Sequence, residues 1–355
     1  MKNLDAWGWS PFFESQLEPG ERAGCLIARV CADYRTVYAL AGPQGEREAE
    51  LSGKLKGRMG DDPAARPVVG DWVVAQDAPG RASIRRTLER RGAFVRRAPA
   101  ARGGAQVVVA NADFALLMAS LNRDLNPRRI ERYLALAWES GAEPVVVLNK
   151  ADLCADLPAA LAEVEALAAG SAVIAVSALT GAGLDELRAR LAPGRAAVLL
   201  GSSGVGKSTL VNRLLGEARA EVREIGHDDK GRHTTTARQM HALPSGALLI
   251  DTPGMRELGL WDAETGLAQA FADLEDLARD CRFRDCTHAS EPGCAVLEAV
   301  ASGALPPERL ASFRKLGREQ AFQARQEHPE LARNAKRRWK QIHKAMRRRE
   351  RMGEG

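Results

Sequence analysis

The sequence lacks both a long apolar run and a recognisable export signal. A helix that crosses a bilayer needs roughly 18 apolar residues in a row, and no stretch of the 355 residues reaches that length. The N-terminal segment carries Asp5 and Glu14 and lacks the basic start and apolar centre of a signal peptide. We therefore expect a cytoplasmic globular protein with no membrane partner. Its length predicts two or three domains.

Cysteine is scarce as well, and the six cysteines are unevenly placed. Cys25, Cys31 and Cys154 are scattered, as expected for small apolar residues of a core. The other three fall between positions 281 and 294 and have His288 among them. In a cytosolic chain such a cluster favours metal binding over disulfide bonding.

The net charge of +5 is concentrated in two segments. Residues 333–351 hold ten lysines and arginines against the single acid Glu350. Residues 81–102 hold eight arginines against Glu89. Charge of this density predicts a polyanionic partner, nucleic acid before membrane. A solvated surface, or for residues 333–351 a disordered basic end, stays open as the alternative.

Residues 21 to about 100 are predicted to form short β-strands. Apolar and β-branched runs at 24–30, 36–40 and 68–74 are separated by glycine-rich turns. This pattern is typical of a small barrel, and an OB-like barrel is the obvious candidate. Residues 53–67 carry lysines and arginines among glycines and are predicted to form a long basic loop.

From Gln106 the pattern changes to alternating strands and helices. Strands are predicted at 106–110, 114–120, 145–148, 172–176, 196–200 and 247–250, and helices at 127–140, 158–169, 184–191 and 207–215. Repeated βα units predict a mostly parallel sheet covered on both faces. Beyond Trp261 only helices are predicted. The fold class is therefore multidomain, with a leader (1–20), an OB-fold RNA-binding domain (21–103), a central α/β domain (104–262) and a mainly α C-terminal domain (263–355).

One segment matches the phosphate-binding pattern G-x-x-x-x-G-K-[ST] between a predicted strand and a predicted helix, which is the context that the motif requires. Its glycines let backbone N–H groups close around phosphate oxygens at the positive end of the helix. Lys207 is predicted to contact the β- and γ-phosphates and Ser208 to ligate Mg²⁺. The predicted nucleotide contacts in this phosphate loop are Gly201, Ser202, Ser203, Gly204, Val205, Gly206, Lys207, Ser208 and Thr209.

Two further loops are predicted to select the base. The sequence Asn-Lys-Ala-Asp at 149–152 follows a buried strand. The carboxylate of Asp152 can accept from both N1–H and the 2-amino group of guanine, whereas adenine has no such pair of donors. Asn149 is predicted to contact the base edge and hold neighbouring loops, and the stem of Lys150 to lie over the ring. One strand later, Ser177 and Ala178 begin a loop whose backbone N–H can reach guanine O6.

A third pattern concerns Mg²⁺ and the γ-phosphate. The sequence Asp-Thr-Pro-Gly at 251–254 follows an apolar strand, so Asp251 is predicted to hold Mg²⁺ through water and the N–H of Gly254 to sense the γ-phosphate. The polar segment 226–236 has no periodicity and is predicted to be a switch that orders on Mg²⁺·GTP. One threonine of Thr234–Thr236 would complete the Mg²⁺ shell, and we favour Thr235.

These motifs occur in a permuted order. Ras-like GTPases run from the phosphate loop through the threonine and DxxG to NKxD, whereas here NKxD and its companion loop come first. Together with the barrel, the Gly-Arg-His-Thr-Thr-Thr segment at 231–236 and the C-terminal Cys/His cluster, this order resembles the RsgA (YjeQ) family of small-ribosomal-subunit-dependent GTPases over residues 21 to about 320.

The resemblance implies a circularly permuted P-loop GTPase domain, GTP as substrate and GDP as product. It also implies the 30S subunit with its 16S rRNA as partner and a role in late small-subunit maturation; we expect a monomer. A GTP-controlled rRNA-binding switch whose hydrolysis is incidental is the alternative. An ATP-dependent kinase or nuclease is disfavoured by Asp152.

Water activation departs from the Ras pattern. Ras-like enzymes place a glutamine after DxxG to orient the attacking water, and this sequence has Met255 there. His233, beside the threonines, is the best substitute, and the family resemblance supports that catalytic role. An exposed histidine without such a role stays open. We expect slow intrinsic hydrolysis that the ribosome accelerates.

The C-terminal cluster consists of Cys281, Cys286, His288 and Cys294. Three thiolates and one imidazole make a full tetrahedral set for one structural Zn²⁺. The C-x-H spacing is unusual for a zinc finger, but the family pattern matches all four positions. Because the permuted chain runs from the switch directly into this domain, we hypothesise that nucleotide state moves it. Equal hydrogen exchange over residues 263–300 with GDP and with a GTP analogue would contradict that hypothesis.

Overall fold

The computed structural model of the chain describes residues 4–34, 36–61, 65–97, 105–122, 125–168, 170–216, 238–251 and 264–327. Several predicted functional residues lie outside these ranges: His233, Thr235 and Gly254, together with the basic segment 333–351.

Five strands near the N-terminus close into a barrel, which confirms the predicted architecture. They are β1 (Leu26–Asp33), β2 (Tyr38–Gly42), β3 (Gly45–Leu51), β4 (Trp72–Gln76) and β5 (Ala82–Thr87). The strand order is β1-β2-β3-β5-β4, and β4 pairs back with β1 to close the ring. Small and branched side chains fill the interior, among them Val30, Leu40, Val73 and Ile84.

The leader packs against this barrel. It contains a 3₁₀ turn (Leu4–Trp7) and a single-turn helix, α1 (Pro11–Glu14), and a second single-turn helix, α2 (Glu21–Gly24), follows it. Phe13 is buried, and the rings of Trp9 and Phe13 lie 4.6 and 5.9 Å from the ring of buried Trp72 in β4. Three side chains of the leader, Leu4, Trp7 and Phe13, therefore belong to the core.

The segment predicted as a long basic loop contains a helix instead, α3 (Gly53–Asp61). The backbone N–H of Leu55 donates to the hydroxyl of Ser52 at 3.2 Å, as at a helix start. Leu55 is buried in the barrel core and Met59 packs beside it. This apolar pair at i and i+4 overrides the glycines that suggested a loop, because tertiary packing supplies most helical stability. The basic side chains Lys54, Lys56 and Arg58 are exposed.

A two-stranded antiparallel ribbon, β6 (Ala93–Arg97) with β7 (Ala105–Ala110), leads into the central sheet. That sheet contains β8 (Phe114–Ser120), β9 (Glu143–Asn149), β10 (Ala172–Ala175), β11 (Ala196–Gly201), β12 (Arg238–Ala242) and β13 (Leu248–Asp251). Its order is β10-β9-β8-β11-β13-β12, and only β12 runs antiparallel to its neighbour β13.

Helices cover both faces of the central sheet, as predicted. They are α4 (Pro127–Glu139), α5 (Leu157–Leu167), α6 (Leu184–Arg190) and α7 (Lys207–Leu215). Successive residues of β11 alternate between two apolar clusters: Val198 and Leu200 belong to one, Ala197 and Leu199 to the other. This alternation is the signature of a strand buried on both faces.

The barrel and the central sheet are one hydrogen-bonded unit. β1 pairs with β4 at its start and with β12 at its end, where Ala32 lies opposite Gln239. Buried Arg29 strengthens the junction by donating to the carbonyl oxygens of Gly70 (3.1 Å), Trp7 (2.5 Å) and Asn111 (2.7 Å). Burial lowers the pKa of Arg29 to about 10. One guanidinium thus connects the leader, the barrel and the entry to the central domain.

Helices make up the described C-terminal region: α8 (Glu264–Ala270), α9 (Ala272–Ala278), α10 (Ala295–Ala301) and α11 (Pro307–Glu327). α8 crosses α4 so closely that a Cβ on Gly266 would lie 2.1 Å from the carbonyl oxygen of Ala135. Arg309 of α11 pairs with Asp273 of α9 and Glu131 of α4. Within the described ranges, no helix has the length and apolar character needed to cross a membrane.

Candidate nucleotide site and metal centre

The three predicted nucleotide motifs meet at one edge of the central sheet. Asn149, Gly201 and Asp251 are the last residues of β9, β11 and β13. These strands run parallel through their neighbours, so their carboxyl ends share an edge. Open α/β sheets bind ligands at this edge. Of the DxxG motif, the structure describes only Asp251, which is half-buried.

The phosphate loop connects β11 to α7. Gly204 and Gly206 have φ values of 76° and 101°, the left-handed region that favours glycine. Lys207 turns its ammonium back over the loop and donates to the carbonyl oxygens of Gly201 and Ser202, both at 2.6 Å. Its charge therefore lies where the predicted phosphates would bind. Ser208 and Thr209 are exposed on the first turn of α7.

Asn149 joins the phosphate loop to the Ser177–Ala182 loop. Its side chain is only 2% exposed. Nδ2 donates to the carbonyl oxygen of Val205 at 2.8 Å, and Oδ1 accepts from the backbone N–H of Ala178 at 3.0 Å. Asn149 satisfies a buried group in each loop and fixes the distance between them.

Lys150 and Asp152 flank this bridge. Lys150 has a φ of 64°, and its Nζ donates to the carbonyl oxygen of Gly204 at 3.0 Å. Its side chain thus extends from the base-reading motif to the phosphate loop. Asp152 lies in the 3₁₀ turn Ala151–Leu153 and is exposed. A carboxylate in this position is accessible to a bound base.

The Ser177–Ala182 loop is internally ordered. Ser177 is buried, and its hydroxyl accepts from the N–H of Thr180 at 3.1 Å. The N–H of Ala178 donates to Asn149 here, so its contact with guanine O6 stays a prediction. Arg213 of α7 donates to the carbonyl oxygens of Ala178 (3.2 Å) and Leu179 (2.5 Å). Nothing in the sequence pattern singled out this arginine.

The four predicted metal ligands come together in the C-terminal region. The ligand atoms of Cys281, Cys286, His288 and Cys294 all lie within 4.8 Å of one another. Cys281 Sγ lies 3.8 Å from Cys294 Sγ, and Nδ1 of His288 lies 3.6 and 3.4 Å from these two sulfurs. A tetrahedral zinc site with Zn–S bonds of about 2.3 Å has S···S edges of about 3.8 Å. All six cysteines are free, and this cluster can hold a metal ion.

Glu291 orders the turn that carries His288, and the sequence did not reveal this role. Its carboxylate accepts from the N–H and hydroxyl of Thr287 and from the N–H groups of Ala289 and Ser290, at 2.5–3.0 Å. These hydrogen bonds, chiefly those from Thr287, lower the pKa of the Glu291 carboxyl group. The carboxylate therefore stabilises a turn in which His288 has a φ of 57°.

Four arginines of the basic segment 81–102 pair with carboxylates. The pairs are Arg81–Glu48 (2.9 Å), Arg86–Glu21 (2.5 Å), Arg90–Asp71 (2.8 Å) and Arg91–Asp113 (2.6 Å). Arg86 also donates to the carbonyl oxygen of Gln16 in the leader at 2.8 Å, and Arg91 connects the barrel domain to Asp113 beside the central sheet. For these four, an intramolecular role has direct support, whereas the exposed cations of α3 and Arg85 face solvent.

A phosphate loop, a guanine-type NKxD loop and an acidic strand end converge at one sheet edge, and the NKxD strand precedes the phosphate loop in the chain. This arrangement defines a circularly permuted P-loop GTPase. A family model described as RsgA GTPase matches residues 87–261. The chain belongs to the RsgA GTPase family and is therefore a GTPase.

Relatives and solved structures agree with this assignment. The small ribosomal subunit biogenesis GTPase RsgA of Opitutus terrae is 45% identical over 98% of each chain. That of Streptomyces avermitilis is 47% identical over 89% of this chain and 85% of its own. YjeQ from Thermotoga maritima has a TM-score of 0.61 at 28% identity, covering 82% of this chain and 97% of its own. YloQ, a circularly permuted GTPase, shares the fold with a TM-score of 0.59 at 21% identity, covering 84% and 96%.

Proposed function

We propose that this GTPase acts in late maturation of the small ribosomal subunit, which stimulates hydrolysis of GTP to GDP and phosphate. The curated relatives with 98% and 89% coverage are named for small-subunit biogenesis, which supports this role. We further propose that the protein is a cytoplasmic monomer and contacts 16S rRNA through the exposed cations of its barrel and its basic segment 333–351. The domain limits 21–103, 104–262 and 263–355 belong to this proposal.

The observation that carries the nucleotide assignment is the bridge made by Asn149. One buried amide joins the phosphate loop to the Ser177–Ala182 loop, which supports a single site for the phosphates and the base. In our proposal Asp152 accepts from guanine, Ala178 contacts O6, and Lys207 contacts the β- and γ-phosphates. We also propose that the other residues of the phosphate loop, from Gly201 to Thr209, contact the nucleotide.

Hydrolysis in this proposal requires Mg²⁺ and a positioned water. Ser208, Asp251 and Thr235 would hold Mg²⁺, and the N–H of Gly254 would contact the γ-phosphate. His233 would orient the water in place of the glutamine of Ras-like enzymes. Ribosome binding would fix His233, which explains why stimulation is expected.

The metal of the C-terminal cluster is proposed to be one structural Zn²⁺. Three thiolates and one imidazole are a ligand set that zinc favours, and four protein ligands leave no open position for catalysis. The bound ion would hold the loop 281–294 against α10.

Multiple-turnover hydrolysis with purified ribosomal subunits tests this function. We expect GTP turnover to rise strongly with 30S subunits and to change little with 50S subunits. His233→Ala protein should keep its GDP affinity and lose the stimulation. GTP turnover that is the same with and without 30S subunits would refute the proposed role and favour a switch whose hydrolysis is incidental.

A further inference from the structure

Arg213 is the one described side chain of α7 that contacts the Ser177–Ala182 loop through hydrogen bonds with both Ala178 and Leu179. Nε donates to the carbonyl oxygen of Ala178, and Nη2 donates to that of Leu179. The planar guanidinium suits two adjacent carbonyl oxygens, whereas a lysine ammonium is a single point charge. A guanidinium therefore suits this pair of oxygens better than an ammonium does.

The helix that carries Arg213 is held firmly. Leu210, Val211 and Leu214 are buried in the apolar cluster under the sheet. The same helix begins at Lys207, about 9 Å away for six residues at 1.5 Å each. One rigid element thus carries both the phosphate-contacting lysine and the arginine that contacts the other loop.

Ala178 is consequently held from both sides. Its N–H donates to Asn149 and its carbonyl oxygen accepts from Arg213. Ala178 is buried in the apolar cluster, whereas Leu179, next along the chain, is 71% exposed and gains little from packing. The hydrogen bonds from Arg213 extend the fixed part of the loop from Ala178 to Leu179.

We propose that Arg213 is a positioning residue that sets the guanine-reading loop in register with the phosphate loop. The proposal rests on the proposed function, in which Ala178 contacts guanine O6. Removing Arg213 would free the loop to move away from O6 while the phosphate contacts and the Asp152 contact remain. The loss would therefore fall on recognition of the 6-oxo group.

Competition binding against a fluorescent GDP analogue tests the proposal with GDP, IDP and ADP. IDP keeps O6 and lacks the 2-amino group, and ADP lacks O6. Arg213→Ala is expected to weaken GDP and IDP alike, by roughly tenfold, the effect of losing hydrogen bonds from a charged donor. The affinity for ADP should stay the same. The ratio of GDP affinity to ADP affinity should therefore fall, whereas the ratio of GDP affinity to IDP affinity should not change. Arg213→Lys should fall between the two proteins.

Arg188→Gln is the matched control. Arg188 is also an arginine at this surface and donates to the backbone oxygen of Arg213 at 3.4 Å, but it makes no hydrogen bond with the Ser177–Ala182 loop, every residue of which the structure describes. We expect its three affinities to equal those of the wild type. Equal weakening of GDP, IDP and ADP by Arg213→Ala would reveal a merely structural role and overturn the proposal, as would unchanged affinities.

A parallel variant separates this inference from the proposed function. Asp152→Asn should shift preference from guanine to xanthine nucleotides if the site reads guanine as proposed. Failure of that shift would refute the nucleotide assignment itself. A successful shift combined with an unchanged GDP-to-ADP ratio in Arg213→Ala would refute only the positioning role.

Discussion

Gly206 occupies a position with two separate requirements. Its φ of 101° is a conformation that side chains other than glycine rarely adopt. A Cβ at this position would also lie 2.2 Å from Nδ2 of Asn149. Since that nitrogen is committed to Val205, relief of the clash must break the bridge between the loops.

Gly206→Ala is therefore expected to weaken GDP binding by more than about tenfold, since strain and a lost buried hydrogen bond together exceed 1.4 kcal/mol. Titration of a fluorescent GDP analogue measures the effect. Gly170→Ala is the control, because Gly170 has a φ of 83° and nothing within 4 Å of its Cβ position. Comparable losses in both variants would mean that the contact with Asn149 does not matter.

At the residue scale, motif spacing predicted which side chains meet but not what holds them. Asn149, Lys207 and the four metal ligands carry recognisable patterns because their chemistry needs those residue types at those spacings. Arg213 and Glu291 bond to backbone groups, and every residue offers such groups. No sequence pattern marks a partner of this kind.

At the element scale, Arg309 of α11 forms ion pairs with α4 of the central domain and α9 of the C-terminal region. It is 8% exposed, and its guanidinium contacts both oxygens of Asp273 at 2.6 and 2.7 Å. It also donates to Glu131 of α4 at 3.0 Å and to the carbonyl oxygen of Ala270 at 3.1 Å. Removing it would leave the buried carboxylate of Glu131 without its cation.

Arg309→Met is expected to destabilise the protein by about 3–5 kcal/mol near neutral pH, the usual effect of breaking a buried pair. Burial raises the pKa of Glu131 above its ordinary 4.5. A carboxyl group whose pKa is higher in the folded state favours folding below that pKa, and this contribution is lost as the pH rises through it. The loss of stability should thus be smaller near pH 5 than near pH 7.5 (roughly a mildly acidic and a near-neutral condition).

Urea unfolding midpoints at the two pH values measure this dependence. Arg279→Met is the control, because Arg279 forms an exposed pair with Asp276 at 3.1 Å, and such pairs contribute little. A pH-independent effect of Arg309→Met would show that Glu131 does not govern the loss.

Elements whose apolar residues repeat at a regular helical or strand spacing were predicted well. The helix α3 was not predicted. β8 (Phe114–Ser120) and α7 (Lys207–Leu215) have the predicted bounds. In α3 the glycines outnumber the apolar residues, and the helix depends on Leu55 entering the barrel core. That contact depends on the closed barrel, which local sequence does not contain.

At the scale of the whole molecule, the four residues of the metal cluster are different residues from those at the nucleotide edge. Cys286→Ser is expected to remove about one equivalent of bound zinc and to lower the Tm on the order of 5 °C, since metal binding is coupled to folding. GDP affinity should change less than about twofold, because the nucleotide site contains none of the four ligands.

Metal content by elemental analysis and thermal melting check this expectation. Cys154→Ser provides a control, because Cys154 is a free, half-buried cysteine outside the cluster. Unchanged zinc content in Cys286→Ser protein would show that the cluster is not the metal site.

The pairing of β1 with β12 has a consequence for how the chain can be divided. β12 is the last strand of the central sheet, and the end of β1 lies beyond the part that β4 covers. Each strand therefore caps the other's open hydrogen-bonding edge, and open edges promote aggregation. An isolated barrel or an isolated central domain would expose a strand edge whose backbone groups are paired in the intact chain. Each domain therefore depends on the other for protection against edge-to-edge aggregation.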